Sequence, residues 1–152
     1  MLLKKINTVL AAAFVLFALW FGSEFILTPE TTAPTFGLPS WPSGDGGGFL
    51  VVKGVRDVTM ALGMGILLVT GHRRALGLVM LVEAFAAFGD MANVLAHHGS
   101  AATAFGVHGL TGAVMVLNAL LLIHETRKAA AAVPAAVTAA EGAAAAPVRQ
   151  SV

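Results

Sequence analysis

Residues Ala75–Ala96 read ALGLVMLVEAFAAFGDMANVLA, with His72-Arg73-Arg74 before them and His97-His98-Gly99-Ser100 after. About 20 mainly apolar residues let a helix cross the hydrocarbon core of a bilayer, and this segment supplies them without a proline. It also carries Glu83 and Asp90, two carboxyl groups in a run otherwise suited to lipid. An ionisable group in a spanning segment costs at least about 2.5–3.5 kcal/mol near the centre, so such groups face a protein interior. The segment predicts a membrane helix that belongs to a bundle.

Outward from it, similar stretches run over about 6–27, 50–71 and 101–123. The connections at 72–74 and 97–100 are short, as between antiparallel neighbours. The expected fold is all-α: a four-transmembrane-helix bundle, antiparallel up-down, spanning residues 1–128. Lys4, Lys5, Arg73, Arg74, Arg127 and Lys128 fall on one side of that arrangement, and the opposite connections, 28–49 and 97–100, hold no Lys or Arg. The positive-inside rule then places both termini in the cytoplasm, and the expected location is the bacterial cytoplasmic membrane. The first stretch ends in Trp20-Phe21-Gly22-Ser23-Glu24, a poor cleavage site, and reads as a retained helix rather than a signal peptide. From Ala129 to Val152 the chain is Ala/Val/Pro-rich, with Pro134, Gly142 and Pro147, and is expected to be a disordered cytoplasmic tail.

Composition agrees. The chain is 57% hydrophobic and 11% charged, with a net charge of +1 and no cysteine. Soluble domains carry about 25% charged residues. A basic excess for nucleic-acid binding is lacking, and disulfides, thiol nucleophiles and thiolate metal sites are excluded.

The 28–49 connection is rich in Pro, Gly, Ser and Thr. Gly44-Asp45-Gly46-Gly47-Gly48 lacks the strand and the Gly-Lys-Ser/Thr of a phosphate loop and reads as a flexible hinge. Phe36 and Trp41 are expected at the headgroup level. Small residues four apart, Ala61/Gly65, Ala102/Gly106 and Gly109/Ala113, suggest close helix contacts. The octets Gly54–Ala61 (GVRDVTMA) and Gly106–Ala113 (GVHGLTGA) suggest two related hairpins.

Depth brings the polar groups together. At about 1.5 Å per residue, Asp90 lies roughly 22 Å from Ala75, His108 roughly 24 Å from His124, and Arg56 and Asp57 roughly 20–22 Å from Gly71. These share one layer in the outer half of the bilayer, with Glu83 deeper. Helical periodicity puts Glu83, Asp90, Asn93 and His97 on one face, and Lys53, Arg56, Asp57 and Met60 on another. His108, Thr111, Met115, Asn118 and Leu122 make a third stripe. A polar pocket opening outward is expected.

Acid/base chemistry is the first reading of that pocket: isomerisation, epoxide opening or cyclisation of a lipophilic small molecule. Asp90 is the expected base, Glu83 or His108 the acid, and Arg56-Asp57 the orienting pair. With more carboxylates than cations, the deepest, Glu83, is the expected neutral acid. A proton-coupled transporter subunit is the second reading. The third is an accessory membrane protein whose polar groups only fix helix pairing: Arg56-Asp57 an interfacial pair with Lys53 snorkelling outward, Asn118 interhelical glue, His97 and His98 solvated. No His-x-x-x-His or Glu-x-x-His pair occurs, so neither metal nor cofactor is expected. Expected partners are membrane lipid and a lipophilic small molecule, a second copy or a membrane partner protein, and no nucleic acid.

Lys53-Gly54-Val55-Arg56-Asp57, the Arg73-Arg74 turn, the Glu83–Asp90 segment and Gly106-Val107-His108 together give a resemblance covering about Ile6–Arg127. On these residues the chain resembles a family of small four-helix membrane proteins described only as a domain of unknown function. It is also loosely similar to the DoxX-like group. The resemblance implies the fold and a membrane location, and carries no reaction.

Overall fold

In a computed structural model the backbone is described for residues 2–144 and the side chains for residues 2–127. The described residues are helical, without strands. In chain order they form α1 (Leu2–Leu27), α2 (Pro29–Thr32), α3 (Gly48–Val69), α4 (Arg73–Ala96), α5 (Ala101–Thr103) and α6 (Leu110–Ala144). A 3-10 turn at Ala33–Phe36 follows α2, another at Gly44–Gly47 leads into α3, and a π-helical turn at Ala104–Gly109 joins α5 to α6. The Gly-rich stretch read as a hinge is thus a 3-10 turn feeding a helix.

Among the described residues, three stretches are long and apolar enough to cross a membrane: Leu2–Leu27, Arg73–Ala96 and Ala101–Arg127. Helix α3 is the same length class but bears Lys53, Arg56 and Asp57 within two turns. Helix α6 continues to Ala144, past Pro134, where irregular chain was expected. Alanine is the strongest helix former, and the run around Pro134 is mostly alanine. Residues 145–152, the rest of the expected tail, lie outside the described residues.

The long helices pack as two pairs, α1 along α3 and α4 along α6, with lighter contact between the pairs. Each pair is drawn together at a glycine. A Cβ on Gly54 would stand 2.6 Å from the Gly22 carbonyl oxygen, and one on Gly77 would stand 2.9 Å from that of Ala119. Small residues let helix backbones meet this closely. The Ala102/Gly106 pair does no such work: both residues are exposed, and a Cβ on Gly106 would meet nothing within 4 Å. Close approach is made by one small residue on each of two facing helices, which spacing along one helix does not reveal.

The repeated octets also diverge in facing. Gly54 is buried and Gly106 exposed, while Arg56 and Thr59 turn outward and their counterparts His108 and Thr111 turn inward. The π-helical turn accounts for this, because its i→i+5 bonding rotates the register of that stretch.

Two apolar clusters hold the assembly. One, around Met64, Leu76, Met80, Met115 and Leu122, fills the half nearer the chain's basic residues. The other, Phe25, Ala33, Phe36, Val94 and Ala104, closes the opposite end. The connection after α1 supplies Ala33 and Phe36 to this second cluster, so it covers the helix ends. Gly37 makes the return possible: its φ is +96°, and the Ser100 N–H donates to its carbonyl at 2.8 Å.

Candidate functional site

Between the two clusters lies a cavity of about 130 Å³. Four of the sequence's candidate residues line it: Asp57 from α3, Glu83 and Asp90 from α4, and His108 from the π-helical turn. Arg56 does not. Residues 53, 57, 60 and 64 are spaced four, three and four apart and share the inner face of α3, and Arg56 falls off its edge. Its side chain is 53% exposed and reaches only Asp57, at 3.4 Å.

Lys53 turns inward, opposite to the snorkelling expected of it. Its Nζ pairs with Asp57 Oδ2 at 2.5 Å. It also stands 4.3 Å from the centroid of Phe25, 4.9 Å from Phe21 and 5.3 Å from Phe36. A cation over an aromatic face is attracted by the ring quadrupole, and here three rings surround one ammonium. The i,i+4 spacing of Lys53 and Asp57 signals their pairing in sequence. The aromatic box is not so legible, because Phe36 reaches it only through the fold of the connection.

His108 is buried beside the Phe36 ring, with centroids 4.6 Å apart and the planes tilted by 54°. Its Nε2 lies 2.9 Å from the Phe36 carbonyl oxygen. A carbonyl only accepts, so Nε2 carries the proton and donates. Nδ1 is the ring nitrogen left without a partner among the described residues.

Glu83 and Asp90 make no hydrogen bond and no ion pair with any described residue. Asp90 is therefore joined to neither Arg56 nor His108 by a direct contact. Phe14, Phe17, Phe21, Met60, Met64 and Met115 complete most of the wall, so these carboxyls sit against rings and thioethers. Phe36 lies beside the cavity, its carbonyl on His108 and its ring near Lys53. Phe17 of α1 and Val107 of the π-helical turn, one from each helix pair, are 40% and 41% exposed and carry the lining to the lateral surface.

Asn93 and His97 share a helical face with Asp90 by periodicity but lie beyond the cavity. His97 is exposed and its Nδ1 donates to the Asn93 carbonyl at 2.9 Å, capping the end of α4. Among the described residues no group of three His, Asp or Glu side chains stands close enough to hold a metal ion.

A second polar cluster joins the helix pairs at the other end. Glu125 accepts from Asn7 Nδ2 at 2.6 Å and from Arg73 Nη2 at 2.9 Å, and Arg73 Nη1 donates to Thr8 Oγ1 at 2.9 Å. Asn118 donates to the Asn7 carbonyl at 3.3 Å. This cluster clamps the pairs at their basic end.

Among known proteins, a family model described as a domain of unknown function (DUF4267) matches residues 15–122. That span takes in the whole cavity lining except Phe14. No curated protein and no solved structure matches the chain.

Proposed function

This chain belongs to the DUF4267 family of unknown function, and we propose that it is a multi-pass membrane protein whose cavity takes a lipophilic small molecule and moves a proton on it. Helix α3 is the fourth crossing. Packed along α1 and adjoining α4, it keeps Lys53 and Asp57 off the lipid by pairing them inside. The basic end, where the Lys4 carbonyl, Arg73 and Glu125 meet, faces the cytoplasm by the positive-inside rule.

The observation that carries the chemical reading is the cavity itself. Glu83 and Asp90 from α4 meet His108 from the π-helical turn there, and neither carboxyl is committed to another described group. Fixing helix pairing does not require this, since the Arg73–Glu125 cluster already does so. Proton abstraction and return at neighbouring carbon or oxygen atoms, as in isomerisation, epoxide opening or cyclisation, needs an acceptor and a donor about one small group apart. His108 is the base in this reading, because the Phe36 carbonyl holds its proton on Nε2 and leaves Nδ1 to accept. A protonated carboxyl, Glu83 or Asp90, gives the substrate the second proton and is restored by the proton that abstraction leaves on His108. The Lys53–Asp57 pair orients, in place of Arg56–Asp57.

Size constrains the substrate. A cavity of about 150 Å³ admits benzene, so about 130 Å³ holds the reacting ring or branch and not a whole lipid. The remainder extends laterally between Phe17 and Val107.

Mass spectrometry of protein purified in mild detergent tests the reading. A low-mass lipophile should co-purify with the wild type and be lost from Ala87→Trp, which fills the cavity. Retention of the same molecule by a folded Ala87→Trp variant would place it elsewhere and overturn the reading.

A further inference from the structure

The carboxyl groups of Asp90 and Glu83 have no hydrogen-bond partner among the described residues, and His108, only 6% exposed, has its Nε2 taken by the Phe36 carbonyl. The one cation in the lining, Lys53, is already committed to Asp57 and to three phenylalanine rings. The lining thus holds carboxyl groups from Asp57, Glu83 and Asp90 against a single ammonium. An ionised carboxylate against apolar walls is costly without a partner. A ligand that brings a positive charge and N–H donors supplies one.

We propose that the cavity binds a lipophilic organic ammonium ion, a primary amine carried on a ring or a short branched hydrocarbon. The proposal rests on the reading of the cavity as a ligand site. The walls suit such a ligand. Phe14, Phe17 and Phe21 line the cavity with apolar aromatic surface for its hydrocarbon, and Met60 and Met115 are polarisable fillers. The chain already solves the same problem once, by enclosing the Lys53 ammonium in rings beside a carboxylate. The cavity repeats these components with the ammonium missing from the chain. Its volume of about 130 Å³ sets the apolar part near the size of a six-membered ring.

Full-length protein in lipid nanodiscs, titrated calorimetrically with benzylamine, benzyl alcohol and toluene at neutral pH, separates the outcomes. Benzylamine should bind about tenfold or more tightly than the alcohol, the difference made by one charge-assisted hydrogen bond. Asp90→Asn should remove that preference while leaving toluene binding in place, and Glu83→Gln should lower it. Ala87→Trp should abolish binding of all three. Equal binding of amine and alcohol by the wild type overturns the ammonium assignment and leaves the ligand site standing. No binding of any of the three overturns both.

Discussion

Arg73 and Glu125 stand 52 positions apart in the chain and meet with Arg73 Nη2 and Nε at 2.9 and 3.1 Å from the same carboxylate oxygen of Glu125. Both side chains are mostly covered, at 16% and 15% exposure. The pair ties α4 to α6, while Asn7 and Thr8 bring α1 into the same network. This network holds one end of the bundle and the second apolar cluster the other, with the cavity between them.

Removing half of this clamp strands the other half. Glu125→Ala should lower unfolding free energy in detergent by about 2 kcal/mol, the loss of charge-assisted hydrogen bonds in a mostly covered site. In the double variant Arg73→Leu/Glu125→Leu the loss should be smaller than the sum of the two single losses, because no uncompensated charge remains. Additive single losses in thermal or denaturant unfolding would show that the two residues are not coupled.

The glycine crossings rank the packing sites. Gly54→Leu should prevent normal assembly of α1 against α3, since even a methyl group there meets backbone. Gly106→Leu should leave the melting temperature within about a degree or two of wild type, as surface substitutions usually change stability by no more than about 0.5 kcal/mol. Melting curves in one detergent check both, and similar losses in the two variants would contradict the assigned interfaces.

His108 should show one tautomer. In ¹⁵N-labelled protein at a pH where the ring is neutral, Nε2 should give the protonated, pyrrole-type signal and Nδ1 the pyridine-type one. Gly37→Val should abolish this bias. The position has φ +96°, and a Cβ there would come within 2.8 Å of Thr103 Cβ, so the Phe36 carbonyl would be displaced. A neutral ring protonated on Nδ1 would reverse the proton-transfer roles assigned to the cavity.

Reporter fusions address the orientation. A reporter following Arg127 and one inserted in the Arg73-Arg74 turn should both report cytoplasm, and one placed between Ser43 and Gly48 should report the outside. A cytoplasmic signal from the Gly-rich stretch would invert the bundle. It would put the cavity in the cytoplasmic half of the bilayer.

Apolar runs of membrane-helix length bounded by Pro, Gly and charged turns were enough to locate the long helices. The starts and ends of α3 and α4 depart from the sequence reading by only a few positions. Those features are local: bilayer thickness sets the length, and backbone bonding within each helix needs no partner. Periodicity likewise placed Asp57, Glu83, Asp90 and His108 on inner faces, since their spacing along single helices fixes their direction.

The fold alone decided what depends on a second segment. Arg56 and Lys53 are three apart on one helix, and which of them turned inward depended on where α1 and the Phe36 segment lie. The aromatic box around Lys53, the carbonyl that holds His108, the Gly22–Gly54 crossing and the Arg73–Glu125 clamp each join residues distant in the chain. Their geometry comes from packing between elements, which hydropathy along one strand of sequence does not encode. The placement of Phe36 has the same origin: it joins Phe25, Val94 and Ala104 because Gly37 turns the chain back across the helix ends.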